Sequence, residues 1–168
     1  MTSQMFPIHV ESPSGLSVQV NANGSVRRMD HGDIILNLFL GTEIEGGPAN
    51  IYLRRHLRRR GASIESIPLL GPRSPAAVSL DASGLRIDGE WKHVRFHVAL
   101  VLAQSTPAWL WHVTLENTGG TAASVDLIYA QDLALAHYAA VRMNEYYVSQ
   151  YIDYTPLTHA RCGSVLAI

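Results

Sequence analysis

Trp109–Asn117 reads WLWHVTLEN. Trp109, Trp111, Val113 and Leu115 fall on one face of an extended chain, and Leu110, His112, Thr114 and Glu116 on the other. That alternation describes a half-buried strand, so the paired tryptophans read as core. Its neighbours share the period of two. Trp91–Ala103 is predicted as a second long strand, separated from the first by Ser105-Thr106-Pro107, and Ala123–Gln131 as a third after the turn Thr118-Gly119-Gly120-Thr121.

The pattern extends toward the N-terminus. Leu16–Asn21 and Val26–Asp30 flank a hairpin turn at Asn23-Gly24, and the apolar run Ile34–Leu40 follows His31-Gly32-Asp33. Gly41–Asn50 (GTEIEGGPAN) reads as a loop, Ile51–Leu53 as a short strand, and Ala77–Leu80 and Leu85–Ile87 as strands around Ala82-Ser83-Gly84. Asp132–Asn144 is rich in alanine and reads as a helix or as a continuing strand. Roughly nine strands at short intervals imply an all-β, antiparallel β-sandwich with at most one short helix. The last run, Ser164–Ile168, is expected to leave an open edge that invites another chain, hence a homodimer.

Composition narrows the function. Apolar residues make up 47% of the 168 and charged ones 16%, which suits one ordered domain and argues against disorder. A formal charge of −1 provides no field for nucleic acid or an anionic membrane, so neither is expected as a partner. The start, MTSQMFPIHVES, lacks the basic and apolar regions of a signal peptide, and the single Cys162 suits a reducing compartment. A cytoplasmic location is the expectation.

No pattern of residues singles out a catalytic centre. Nucleotide-binding glycine motifs and the G-x-S-x-G elbow are missing, and no cofactor is expected. His93 and His97, read as positions of one strand, lie roughly 13 Å apart, too far to share an ion, so no metal is expected there. The run LRRHLRRRG from Leu53 to Gly61 offers guanidinium forks for phosphate; with overall charge near zero it reads better as a solvated turn balanced by Glu43, Glu45 and Glu65. Asp30 and Asp33 read as caps on the amides of their glycine turn.

Arg142–Leu157 (RMNEYYVSQYIDYTPL) is different. Five of the seven tyrosines lie between Tyr138 and Tyr154, interleaved with Asn144, Glu145, Gln150 and Asp153. Ring faces stack on the C–H patches of sugars while amides and carboxylates bond their hydroxyls. Tyrosine is equally at home where one domain packs on another, and both readings stand. Glu145, Tyr147, Gln150 and Tyr151, with Glu43 and Glu45 of the glycine-rich loop, are the candidate residues facing a carbohydrate or a further domain.

Three motifs together resemble a known family: NANGSVRRMDHGDIILNLFLGTEIEGGPANIYLR from Asn21, IPLLGPRSP from Ile67 and NEYYVSQYIDYTPL from Asn144. They are similar to the N-terminal region of glycoside phosphorylases, the 1,2-β-oligoglucan phosphorylases and the phosphorylase-like part of cyclic β-1,2-glucan synthases. The resemblance implies a β-supersandwich of the galactose mutarotase-like kind over residues 1–168, left incomplete at its C-terminal end. In the family it precedes a helical linker and an (α/α)6 barrel that holds the catalytic Asp and the phosphate-binding residues. No catalytic residue can therefore be carried over. The resemblance also implies a dimer to which this domain contributes, and a surface near the barrel's active site. Two other expectations compete with it, a stand-alone carbohydrate-binding module and a structural docking module.

Overall fold

The computed structural model describes residues 7–57, 63–81 and 84–168, except for the side chains at 81, 145, 146 and 149. Antiparallel strands dominate, and they form four sheets. The first sheet takes β1 (Ile8–Glu11), β2 (Leu16–Val20), β3 (Val26–His31) and β4 (Ile34–Ile35), and its far edge is completed by β12 (Ala136–His137). The second runs β10-β9-β8-β7, built from β7 (Ala77–Asp81), β8 (Gly84–Trp91), β9 (Val94–Leu102) and β10 (Trp109–Asn117). The third runs β11-β5-β6, from β5 (Asn50–Leu57), β6 (Ser63–Pro68) and β11 (Val125–Ala130). The fourth is a hairpin of β13 (Thr155–His159) and β14 (Gly163–Ala167).

Alternation in sequence becomes burial. Leu16, Val18 and Val20 of β2 are inward, as are Val94, Phe96, Val98, Leu100 and Leu102 of β9. With Leu85 and Ile87 of β8 and Ile51 and Leu53 of β5 they make one core between the first three sheets. The fold is an all-β sandwich, as expected. Trp109, Trp111, Val113 and Leu115 pack against this core from one face of β10, while Leu110 on the opposite face is 52% exposed. The core reading of the tryptophans holds.

Several local expectations change. The long strand expected over Trp91–Ala103 is interrupted, because Trp91 pairs with Val94 and Lys92-His93 make a two-residue hairpin turn. Both turn residues have positive φ, +49° and +63°, which is the backbone of a type I′ turn that glycine or asparagine usually occupies. His93 therefore sits in a turn and only His97 lies on the strand, where its Nδ1 meets Asp88 Oδ1 at 2.7 Å.

The run Ile34–Leu40 is a strand only at its first two residues. Asn37 intervenes: its Oδ1 accepts from the Met29 amide at 2.7 Å and its Nδ2 donates to the Phe39 carbonyl at 2.7 Å. An amide side chain thus takes the place of ladder bonds and bends the chain. The strand expected over Ile51–Leu53 extends to Leu57, so Arg54, Arg55 and His56 belong to the central strand of a sheet. The solvated-turn reading fails for that part; Arg58–Arg60 lie outside the described residues.

Asp132–Asn144 divides. Its first part is extended, with Ala136–His137 paired to β4, and only Tyr138–Met143 is the helix α1. Single helical turns, α2 (Glu145–Val148) and Ser149–Tyr151, follow. Ser164–Ile168 is not a lone strand either: Gly163–Ala167 pairs back on Thr155–His159. Asp30 does not cap its turn; it is buried and accepts from Arg28 Nε at 2.5 Å. No described helix is long and apolar enough to cross a membrane.

Candidate functional site

The tyrosine-bearing segment rests on a second, smaller cluster. Ile35, Leu38, Ala134 and Val141 are buried together, with Val148 packed against them. Val141 and Val148 therefore hold α1 and α2 down by one side. The aromatic residues project from the other side: Tyr147 is 61% exposed and Tyr151 84%. Tyr138 is held separately, with the Arg28 guanidinium 4.6 Å from its ring centroid.

Of the six residues singled out in sequence, Tyr151 lines a concavity. A groove of about 400 Å³ runs between the extended segment Ala134–Ala136, the helical turns and the chain end, with Tyr151, Ile152, Asp153 and Ile168 along its wall. Tyr147 and Gln150 are exposed nearby. The Glu145 side chain lies outside the described residues.

Glu43 and Glu45 belong to a different structure. Their loop is pinned through its main chain: the Gly41 amide donates to the Val26 carbonyl at 3.1 Å, Asn23 Nδ2 to the Glu43 carbonyl at 3.0 Å, and the Glu45 amide to Thr42 Oγ1 at 2.8 Å. A Cβ on Gly41 would stand 2.3 Å from the Val26 carbonyl oxygen, so only glycine fits. Both carboxylates point to solvent. Among the described residues no hydrogen bond joins Glu43 or Glu45 to Tyr147, Gln150 or Tyr151. Leu38 and Leu40, which lead into the loop, pack in the second cluster beneath the tyrosine segment.

Sequence reasoning passed over two carboxylates whose surroundings shift them in opposite directions. Asp126 on β11 accepts from Arg54 Nε and Nη2, both at 2.7 Å, and lies 2.9 Å from His56 Nε2. The Arg54 fork, followed by His56, pulls Asp126 down to about 2. Asp132 goes the other way. Burial pushes it up, partly offset by the Phe39 amide, which donates to Oδ2 at 2.6 Å. Its Oδ1 is buried without a hydrogen-bond partner. This carboxylate ties the end of the Ile34–Leu40 run to the extended segment after β11, next to a main-chain bond from the Ala134 amide to the Leu36 carbonyl at 2.8 Å. Its work is to tether. Nothing in the spacing of Asp126 or Asp132 signals these roles, because each depends on a partner at least seventy residues away in sequence.

A larger, aromatic concavity lies elsewhere. A groove of about 560 Å³ opens between β10 and β11, lined by Trp109, Trp111, Leu127 and Tyr129. Its polar atoms are committed to one another, since Trp109 Nε1 donates to the Tyr129 hydroxyl at 3.1 Å and that hydroxyl donates to Gln131 Oε1 at 2.6 Å. Burial pushes the Tyr129 phenol up.

Comparison with known proteins now bears on these surfaces. A 1,2-beta-oligoglucan phosphorylase from Listeria innocua is 35% identical over 139 residues, which is 83% of this chain. The match spans only 12% of that relative's length. A family model described as the SOGP N-terminal domain matches residues 19–168, from within β2 through the terminal hairpin, and the chain belongs to that family.

Proposed function

We propose that this chain is the non-catalytic sandwich domain of an inverting β-glucan phosphorylase. The observation that carries the reading is the match itself: most of this chain aligns with about an eighth of a protein named 1,2-beta-oligoglucan phosphorylase. In the parent reaction a phosphate oxygen attacks the anomeric carbon of a β-1,2-linked glucose unit. The glycosidic bond breaks, one protein acid protonates the departing glycosidic oxygen to give the hydroxyl of the shortened glucan, and α-glucose 1-phosphate is released. Phosphate replaces water as nucleophile, so one acid suffices where hydrolysis enlists two carboxylates. The acid belongs to the barrel. Asp132, which burial pushes up, is engaged by the Phe39 amide and serves as a tether.

On this reading Tyr147, Gln150 and Tyr151, together with Glu145, face the barrel or its glucan, and Glu43 and Glu45 form a second patch toward the same partner. A homodimer in the cytoplasm completes the proposal, and the exposed, unpaired Cys162 is compatible with a reducing compartment. The chain, mixed with sophorooligosaccharides and inorganic phosphate, is expected to release no glucose 1-phosphate. Reproducible turnover would overturn the reading.

A second reading, a carbohydrate-binding module, is favoured by one observation: Tyr147 and Tyr151 are exposed rather than packed. It requires calorimetric heat with β-glucan oligosaccharides that falls in Tyr147→Ala or Tyr151→Ala. Absence of heat with every β-glucan leaves the docking role alone.

A further inference from the structure

At the end of the sandwich where β10 turns into β11, two cationic side chains, Arg55 and Lys92, and the imidazole of His93 meet a glycine turn. Arg55 on β5 differs from its neighbours: Arg54 and His56 both engage Asp126, whereas Arg55 forms no ion pair among the described residues, although Glu65 stands opposite it in the β5–β6 register. Its side chain lines two adjoining cavities. One, of about 320 Å³, is shared with Lys92, His93 and the turn Asn117–Thr121; the other, of about 260 Å³, lies against His56, Leu57 and Ala122–Ser124.

The walls are built firmly. Lys92 and His93 hold the left-handed conformations of the β8–β9 turn, where glycine would sit at lower cost. The Thr118 amide donates to the His93 carbonyl at 2.9 Å, locking the two turns together. Asn117 then shapes its own turn, accepting from the Gly119 amide at 3.0 Å and donating to the Thr121 carbonyl at 2.8 Å. Among the described residues the Gly120 amide and the Thr121 hydroxyl enter no hydrogen bond, and a Cβ on Gly120 would meet nothing within 4 Å.

From this arrangement we infer that the pocket of Arg55, Lys92, His93, Gly119, Gly120 and Thr121 binds a phosphoryl group. A planar guanidinium, an ammonium and a free backbone amide converging on one concavity match the several oxygens of a tetrahedral anion. Two acidic side chains stand nearby and define the competition. Glu65 Oε1 lies 2.5 Å from Lys92 Nζ, and Glu90 Oε1 accepts from Thr118 Oγ1 at 3.2 Å. The Lys92 end of the Lys92–Glu65 pair is exposed while Glu65 is half-buried, so a dianion competes with Glu65 for the Lys92 ammonium. Glu90 is already drawn toward Arg95, 3.5 Å away. The inference is independent of the glucan reading, because it rests on this pocket alone.

Titration of the isotopically labelled chain with inorganic phosphate is the test. Saturable shifts confined to the amides of Lys92, His93 and Gly119–Thr121 are expected, with affinity weakened about tenfold in Arg55→Gln, as the loss of a charged hydrogen bond dictates. Lys92→Gln should weaken it as well, and His112→Ala, on the outer face of β10, should leave it unchanged. A parallel titration with a hexose phosphate identifies the source of the group: tighter binding assigns a phosphorylated sugar, equal or weaker binding the free ion. Three results overturn the inference: no saturable shift with either probe, the same shifts from acetate, or full affinity in an Arg55→Gln variant whose circular dichroism is unaltered.

Discussion

Two clusters divide this molecule, and they are stabilised very differently. The first draws buried side chains from three sheets, with Leu16, Val18, Leu53, Leu85, Ile87 and Phe96 fully enclosed. The second is four buried residues beneath a run of short helical turns, with a hairpin beyond it whose residues are all exposed. In the first, the inner strands β2, β3, β5, β8 and β9 are held by ladders on both sides, and the sheets share one apolar core. In the second, Val141 and Val148 anchor a segment that shows Met143, Tyr147 and Tyr151 to solvent. Large exposed groups such as Met143, Tyr147 and Tyr151 lie on this less embedded part, and for that reason we propose it as the surface of interaction. The sandwich is what carries it.

Substitutions that separate the two clusters should show a steep gradient. Phe96→Ala removes a fully buried ring at the centre of the first cluster and is expected to cost about 3–5 kcal/mol by chemical denaturation. Val141→Ala, in the small second cluster, should cost about 1 kcal/mol and loosen the tyrosine segment, seen as faster amide exchange over residues 138–151, while leaving the sandwich strands protected. A uniform loss of protection in Val141→Ala would erase the distinction between the clusters.

The two shifted carboxylates sharpen the same comparison through pH. Asp126 titrates near 2 in the folded chain, below its ordinary 3.8. Its contribution is therefore complete above about 3.8 and disappears as pH falls toward 2. Asp132 is raised, so it favours the folded state below its ordinary value and gives that up as pH rises through its folded one. Asp126→Asn should flatten the acid limb of the stability curve between pH 4 and 2. Asp132→Asn, which keeps an acceptor for the Phe39 amide, should be neutral or stabilising at pH 7. A steepened acid limb in Asp126→Asn would contradict the Arg54 fork as its cause.

The smallest effects on stability are expected at the tyrosines. Tyr147→Ala and Tyr151→Ala should each move the unfolding midpoint by less than about 0.5 kcal/mol, as exposed positions do. Any larger change in partner or glucan binding then reports on the surface rather than on folding.

Much of this was legible in the chain. Strand alternation in LSVQV and WLWHVTLEN is a local signal, written every second residue, and it survives because each strand turns one face to the core, buried in the first and half-buried in the second. The misreadings share a physical cause. Lys92-His93 carries no glycine, so its turn is set by the pairing of Trp91 with Val94 rather than by turn chemistry. Ile34–Leu40 looks like one apolar strand, yet Asn37 bonds the main chain and redirects it. Arg54 and Arg55 look alike in sequence, and only the position of Asp126 across the sheet neutralises one and leaves the other facing a pocket.

What the order of residues determined alone was class: an all-β sandwich, with an aromatic, polar segment near its end that is suited to a partner. What tertiary structure decided was adjacency. Whether Asp132 tethers or titrates freely, whether Tyr151 lines a groove, and whether Arg55 stays unpaired all depend on groups far apart along the chain. Periodicity is a property of neighbours in sequence, whereas charge compensation and concavity arise only between elements that packing has brought together.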